Sequence, residues 1–557
     1  MKSKRLLLPA VLLLLLLSIT FLARATCLPA DAGTAGNDTI TCDAANAPAA
    51  GSVTGQGGDD TINIDAGVVG NISVSGDVLG GGLPGAGSDT ITNDGSVTNI
   101  FGDASSGNGA GNDNIVNNGT VTGLVTGDAF NGSGSGSDTI VNNGTIGGTV
   151  LGDSNNTTGS GNDVIINNGT VNNTIMGDSS LGTGSGNDTI VNNGLVTGGV
   201  FGDSQNSTGT GSDVLVNTGT IDGGAAMSNV MAGESNAAGV ASGNDTLIND
   251  GFIRDGMYGD TVNGGSTGND VIINNGVVAG EISGDGRTGS GSGNDSILNN
   301  GTTVDIFGDS RFGGASGSDV IVNYGTATNI YGDDVFAAGT GSDVITNGGT
   351  VSGDIVAAGG NDTVIIQGNA ATVGGVMDGG AGYDVLTFNL TSASPDELIS
   401  WAEQIYAANP AGGTLTLAGH TFTWVNFEEL TQLLFTLARI NGNADPLAVF
   451  CAFGGGLDVY VVVGQDGLLS LSLTAQTISN GLAQALEIGQ TLQIGGSATA
   501  TVYVTPTGEV QLNAPNGFSF SFTYQNFCGR LPAPGEEDFV QAQEEELPPF
   551  TIISRPR

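Results

Sequence analysis

A motif of about 25 residues recurs along this chain, and a fixed period of that length leaves few folds open. Gly136 to Asp153 reads GSDTIVNNGTIGGTVLGD, and Gly161 to Asp178 reads GNDVIINNGTVNNTIMGD. One such unit cannot bury its own apolar face, so neighbouring units must stack, and every motif position becomes a column of one residue type. Inside a unit the apolar residues are short β-branched runs, Ile140-Val141, Ile146 and Val150-Leu151, separated by Asn, Gly and Thr. This spacing predicts two or three short strands per coil and an all-β chain, a parallel β-helix or β-roll solenoid over residues 26–390.

Composition narrows the function. The 98 glycines stand beside only 14 prolines and show no collagen period, and the apolar residues are periodic, which argues against disorder. The formal charge is -44, and no Lys follows Lys4. Binding to nucleic acid through a basic patch is excluded, and the natural partners are cations. Acidity alone also suits solubility or a saline habitat. What speaks for more is placement, because much of the Asp falls at two fixed positions of the repeat.

The first column runs from Asp89 to Asp343, with degenerate copies at Asp38, Asp60, Asp362 and Asp384; the second runs from Asp103 to Asp333, with Glu234 replacing Asp once. Stacked coils sit about 4.8 Å apart. Two carboxylates at that distance repel by about 0.9 kcal/mol in water and about 3.5 kcal/mol at an effective dielectric near 20. No basic column is present to offset this. A hard divalent cation would, and Ca²⁺ takes carboxylates, backbone carbonyls and water together. The candidate ligands are Asp60, Asp113, Asp128, Asp138, Asp153, Asp163, Asp178, Asp188, Asp203, Asp213, Asp270, Asp285, Asp295, Asp309, Asp319, Asp333, Asp343, Asp362 and Asp384. The competing reading is that each Asp simply makes a turn and faces water.

These residues resemble the haemolysin-type (RTX) calcium-binding repeat, whose nonapeptide is G-G-x-G-x-D-x-U-x with U apolar. Gly379 to Thr387, GGAGYDVLT, matches throughout; Gly55 to Ile62 misses one Gly; central copies such as Gly134-x-Gly136-x-Asp138-x-Ile140 keep the later half. The resemblance implies Ca²⁺ held by Asp and turn carbonyls between coils of a parallel β-roll. The departures are the Asn-rich strands between copies and the second Gly-Asp.

The Asn-Asn-Gly segments, such as Asn142-Asn143-Gly144, read as corners with stacked Asn side chains; N-glycosylation is the alternative for the many Asn-x-Ser/Thr sequons. Between the columns lies a variable loop of Gly, Ser, Thr and Asn, a place where solenoids carry binding.

Residues 1–25 read as a secretory signal peptide: Lys2, Lys4 and Arg5, an apolar run from Leu6 to Leu22, then Ala23-Arg24-Ala25. An uncleaved anchor is the rival reading, and no later segment is long and apolar enough to span a membrane. Export permits disulfides, expected as Cys27–Cys42 and Cys451–Cys528. Residues 391–445 are expected to cap the solenoid, with helices from Ser394 to about Ala408 and from Phe427 to about Ile440 around strands at 414–417 and 421–425. Residues 446–530 alternate as a small β-rich domain, and the acidic tail 531–557 is expected to be disordered.

The sequence thus supports a secreted or cell-surface calcium-binding solenoid acting as a structural or adhesive spacer. Extracellular glycans and surface proteins are its expected partners, with no membrane span after signal removal. The alternative is a polysaccharide-active β-helix enzyme. Catalysis needs a unique constellation, whereas these carboxylates repeat, and His420 is the only His. Aromatic and Arg residues gathered in one groove would favour glycan chemistry; in the sequence Arg254, Tyr258, Arg311 and Phe312 are scattered.

Overall fold

In Thr139–Asn142 the residues alternate between the two faces of a strand, with Ile140 and Asn142 buried and Thr139 and Val141 half-buried. Thr145–Ile146 and Val150–Leu151 add two shorter strands and complete a three-sided coil. The computed structural model describes most of residues 27–432, with gaps chiefly in the polar loops (78–86, 105–108, 133–135, 155–158, 182–185, 205–209, 225–228, 236–239, 335–338, 391–396), and strands between 446 and 527. Almost everything described is β. The chain divides into two compact units, Met1–Gly198 and Gly199–Arg557.

In the first unit, equivalent strands of successive coils pair in parallel without a register slip. Ile140 lies between Ile115 and Ile165 on one face, Ile146 between Val121 and Val171 on the second, and Val150 between Val125 and Ile175 on the third. These inward residues are fully buried and form the core. The second unit repeats the pattern, from Val214–Asn217 through Val271–Asn274 to Val385–Asn389. The fold is a parallel β-solenoid, and the expectation of an all-β chain holds.

The Asn corners are buried ladders. Asn117 Nδ2 donates to Asn142 Oδ1, and Asn142 Nδ2 to Asn167 Oδ1, each at 2.8 Å. Within the second unit Asn217, Asn249, Asn274, Asn299 and Asn323 form an equivalent chain of bonds. The Oδ1 atoms of Asn142, Asn167 and Asn249 also accept the N–H two residues on, as Asn142 does from Gly144 at 3.2 Å, so the side chain fixes the corner. An exposed ladder beside it runs the other way, with Asn143 donating back to Asn118 and Asn168 back to Asn143.

At the N-terminal end Cys27 and Cys42 form a disulfide with Cα atoms 4.5 Å apart. Towards the C-terminus parallel pairing continues beyond residue 390, since His420–Val425 pairs with Val376–Asp378 while closing an antiparallel hairpin with Gly412–Leu417. Glu397, Ser400, Trp401, Gln404, Ile405 and Ala407 are helical, within the first expected helix. The second expected helix is a correction: Glu429–Gln432 is a strand, parallel to Val385–Asn389. Phe427 and Leu430 are buried, and the N–H groups of Glu428 and Glu429 bond to Asp384 O, so the last rung outcompetes a helix. Beyond it are two antiparallel sheets, including Leu457–Gly464, Leu469–Ser472, Ala498–Val504 and Ser519–Thr523. Residues 1–25, Cys528 (and with it the Cys451 pairing) and the tail 531–557 lie outside the described residues.

Candidate metal centre

The two Asp columns occupy the turns that flank the polar loop. Asp138 immediately precedes Thr139–Asn142, and Asp128 lies two residues after Val125–Thr126. Gly136 N–H donates to Asp128 Oδ2, which brings the two carboxylates to one corner of the coil. All the candidate ligands named from the sequence are buried there.

First-column carboxylates form a ladder with the backbone. Oδ1 of each accepts the N–H of the Asp one coil earlier: Asp138 from Asp113 at 2.7 Å, Asp163 from Asp138 at 2.6 Å, Asp295 from Asp270 at 2.8 Å, Asp343 from Asp319 at 2.9 Å. The ladder starts where Asp60 accepts from Asp38 and ends where Asp362 bonds to Asp384, whose own N–H reaches Glu428 Oε2 at 2.7 Å. Second-column carboxylates close the polar loop instead. Oδ2 of Asp128, Asp153, Asp178, Asp203 and Asp309 accepts the N–H of the Gly eight residues on, at 3.0–3.2 Å. The turn-forming reading of the Asp therefore describes one oxygen of most of these carboxylates and neither oxygen of Asp285 or Asp333.

The other oxygen has no such partner. Oδ2 of Asp113, Asp138, Asp163, Asp270, Asp295, Asp319 and Asp343 is buried and makes no hydrogen bond, as is Oδ1 of Asp103, Asp128, Asp153, Asp260 and Asp309. A buried acceptor left unpaired costs about 1–3 kcal/mol, more when charged. The carboxylates converge. Asp103, Asp113 and Asp128 each place one oxygen within 4.8 Å of the others, as do Asp128, Asp138 and Asp153, and Asp153, Asp163 and Asp178. Two oxygens on one Ca²⁺, each at about 2.3–2.6 Å, lie at most about 5 Å apart, so three-carboxylate groups of this size fit the ion. Successive groups share a member, so each coil adds two carboxylates, the charge one divalent ion offsets. Gly177 O lies beside Asp163 Oδ2 over Gly152, where a Cβ would strike both, which puts a carbonyl oxygen next to the carboxylate.

Burial, then neighbouring carboxylates, pushes these acids upward. Asp103 rises to about 9, Asp128 to about 10, Asp319 to about 11 and Asp343 to about 9. Asp309 and Asp333 rise to about 8. Asp113, Asp138, Asp163, Asp270, Asp285 and Asp295 are driven well above the usual carboxylate range. At the ends of the column Asp60 and Asp384 reach only about 6, and Asp362 about 7. Glu234, with both oxygens buried and unbonded, is raised to about 12. Retained protons or a bound cation would each offset this crowding of buried acids.

No family model, curated protein or solved structure matches this chain. The parallel solenoid with Asp-rich turns is compatible with an RTX-like repeat. The nonapeptide-like ends and the central coils nevertheless turn differently: Gly58, Gly380 and Gly382 have φ of 100°, 94° and 153°, whereas Gly136, Gly161 and Gly186 are not left-handed. In those central glycines a Cβ would strike the carbonyl of the Gly one coil earlier, so close stacking is what requires them.

Sequence reading missed Asp77, which groups with Asp89 and Asp103. Its Gly76-Asp77 signal was present, but residues 78–86 stretch the period there to 29 residues between Asp60 and Asp89. It also missed a second, non-repeating cluster. Glu281 is buried and receives Tyr258 Oη at 3.0 Å, Arg311 Nη1 at 2.6 Å and Arg287 Nε at 3.3 Å. The Arg311 guanidinium lies 5.0 Å from the Phe312 ring and 5.8 Å from that of Phe307, which stacks on Tyr331 at 4.9 Å. Tyr258, Arg311 and Phe312, scattered in sequence, thus gather at one place; Arg254 pairs with Asp222 instead, at 3.0 Å.

Proposed function

We propose that this chain is a secreted or cell-surface RTX-like solenoid that binds about one Ca²⁺ per coil in its Asp columns and serves as a stiff structural or adhesive spacer. The observation that carries the reading is the string of buried three-carboxylate groups, each sharing a member with the next. All-oxygen donors of this charge suit a hard divalent cation, and Ca²⁺ accepts irregular carboxylate and carbonyl sets that Mg²⁺ does not. Export is supported by the basic and apolar opening of the chain and by a disulfide at Cys27–Cys42, a bond that persists in oxidising compartments. A protein whose coils assemble only around calcium would remain pliable where calcium is scarce and stiffen outside the cell.

Thermal unfolding in EDTA and in millimolar Ca²⁺, with calcium titration calorimetry, tests this. The expected result is a large rise in Tm with several ions bound per chain and a much weaker response to Mg²⁺. Equal Tm in both buffers and no heat of binding would leave the Asp as protonated turn formers on an acidic scaffold.

A further inference from the structure

Between residues 25 and 438 the sequence holds no Lys and only three Arg, Arg254, Arg287 and Arg311. Two of them occupy the same turn position in successive coils, in Asp285-Gly286-Arg287 and Asp309-Ser310-Arg311, and the parallel bridge from Thr288 to Phe312 stacks those turns in register. Other coils have Ser180 or Val262 there. Neither arginine serves the Asp columns: both turn to Glu281. The Glu281 site is itself a departure from the repeat. The coil before it has Gly256 opposite Glu281, and the Tyr258 side chain fills the space a Cβ at Gly256 would take, which is how its hydroxyl reaches the carboxylate.

These groups line a cavity of about 450 Å³, a volume within the range of about 300–1,000 Å³ found for small-molecule sites. We propose that this cavity is a binding site for an acidic saccharide, a uronate sugar. Three features of the wall call for the three features of such a ligand. Three carboxylates and two guanidiniums line the wall; Asp255 and Asp305 already accept from Asn229 and Asn329, both guanidiniums converge on Glu281 alone, so most of their N–H donors stay uncommitted to it, and Arg311 Nε is buried without a hydrogen bond. Planar guanidinium donors select a carboxylate. Asp255 and Asp305, also on the wall, are acceptors suited to sugar hydroxyls. Val230, Val262, Val304 and the Tyr258 ring supply an apolar surface for a sugar's C–H face. In a chain of charge -44, Arg287 and Arg311 on Glu281 are the one place among the described residues where two guanidiniums share a carboxylate. This site stands apart from the calcium reading, since no Asp of the columns lines the cavity.

Calorimetry on the full chain in millimolar Ca²⁺, with digalacturonate as probe and the neutral galactose disaccharide and acetate as controls, tests the assignment. Digalacturonate is expected to bind one site at least tenfold more tightly than either control. Arg287→Met, at a half-exposed side chain, is expected to weaken digalacturonate at least tenfold while leaving Tm and calcium binding unchanged. Glu281→Gln removes the carboxylate that competes for both guanidiniums and is expected to tighten digalacturonate. Equal affinity for the neutral disaccharide, equal affinity for acetate, no binding, or an unchanged affinity in Arg287→Met would each overturn the proposal. Calcium titration of the same sample reads the other site independently.

Discussion

Asp163 accepts the backbone N–H of Asp138, one coil away, through Oδ1 at 2.6 Å, while its Oδ2 is buried without a hydrogen bond. One carboxylate thus does two jobs, a neutral acceptor's and a charged ligand's, and substitution separates them. Asp163→Asn keeps the acceptor and puts an N–H₂ donor where the unbonded oxygen sits, beside Asp153 and Asp178. In EDTA the variant should gain on the parent as pH rises, because its N–H₂ donates without the proton the parent must retain, and its calcium-dependent gain should shrink. Urea unfolding with and without Ca²⁺ measures both; destabilisation in EDTA that deepens as pH rises would contradict the account.

The Asn ladder carries no charge and provides the contrast. Asn142→Leu removes the shortest bond of Asn117 Nδ2, which keeps only contacts at 3.5 Å, one of the two donors to Asn167 Oδ1, and the side-chain acceptor of Gly144 N–H. Three hydrogen bonds lost, with no atom left wholly unpaired, at about 0.5–1.5 kcal/mol each predict a loss of about 2–4 kcal/mol. The loss should be the same in EDTA and in Ca²⁺, because these amides lie at a different corner from the Asp columns. A calcium-dependent loss would show that the two ladders are coupled.

Periodicity made the solenoid legible. The alternation in Thr139–Asn142 and the Asn-Asn-Gly corner each follow from local rules that every coil repeats. Repetition also exposed the Asp columns, though not the division of labour within each carboxylate, which depends on a neighbour 24 or 25 residues away. Where the period breaks, the reading fails. Asp77 hid behind an insertion, and Glu428 and Leu430 were mistaken for a helix because rung pairing with Asp384 and Leu386 is a tertiary contact. The Glu281 cluster was illegible for the opposite reason: its members occur once each, on different coils, and only stacking joins them.

Gly152 marks the closest approach of backbone to the first column. A Cβ there would collide with Gly177 O and Asp163 Oδ2 together, and Gly177 belongs to the next coil's turn. Gly152→Ala must push the coils apart or displace the carboxylate. Overpacking of this kind costs about 1–3 kcal/mol. Because the displaced oxygen belongs to the group of Asp153, Asp163 and Asp178, the variant should also bind fewer calcium ions than the parent. Calorimetric stoichiometry decides; an unchanged ion count would place the ion elsewhere.

Acid should stabilise the metal-free protein, the reverse of the usual behaviour of carboxylates. Asp89, Asp309 and Asp333 titrate at about 8, Asp103 and Asp343 at about 9 and Asp128 at about 10 when folded, against 3.8 for an unperturbed Asp. Between about pH 4 and these values the folded chain holds protons that the unfolded chain has released, so stability falls as pH rises through that window. In EDTA the Tm should therefore be higher at pH 5 than at pH 8. Calcium takes the place of those protons, so its stabilising effect should grow over the same range, and binding near pH 7 should release protons, measurable by calorimetry in buffers of different ionisation enthalpy. A Tm in EDTA that climbs from pH 5 to pH 8 would mean that the columns are ionised and solvated without metal, and the argument for a cation would lose its driving force.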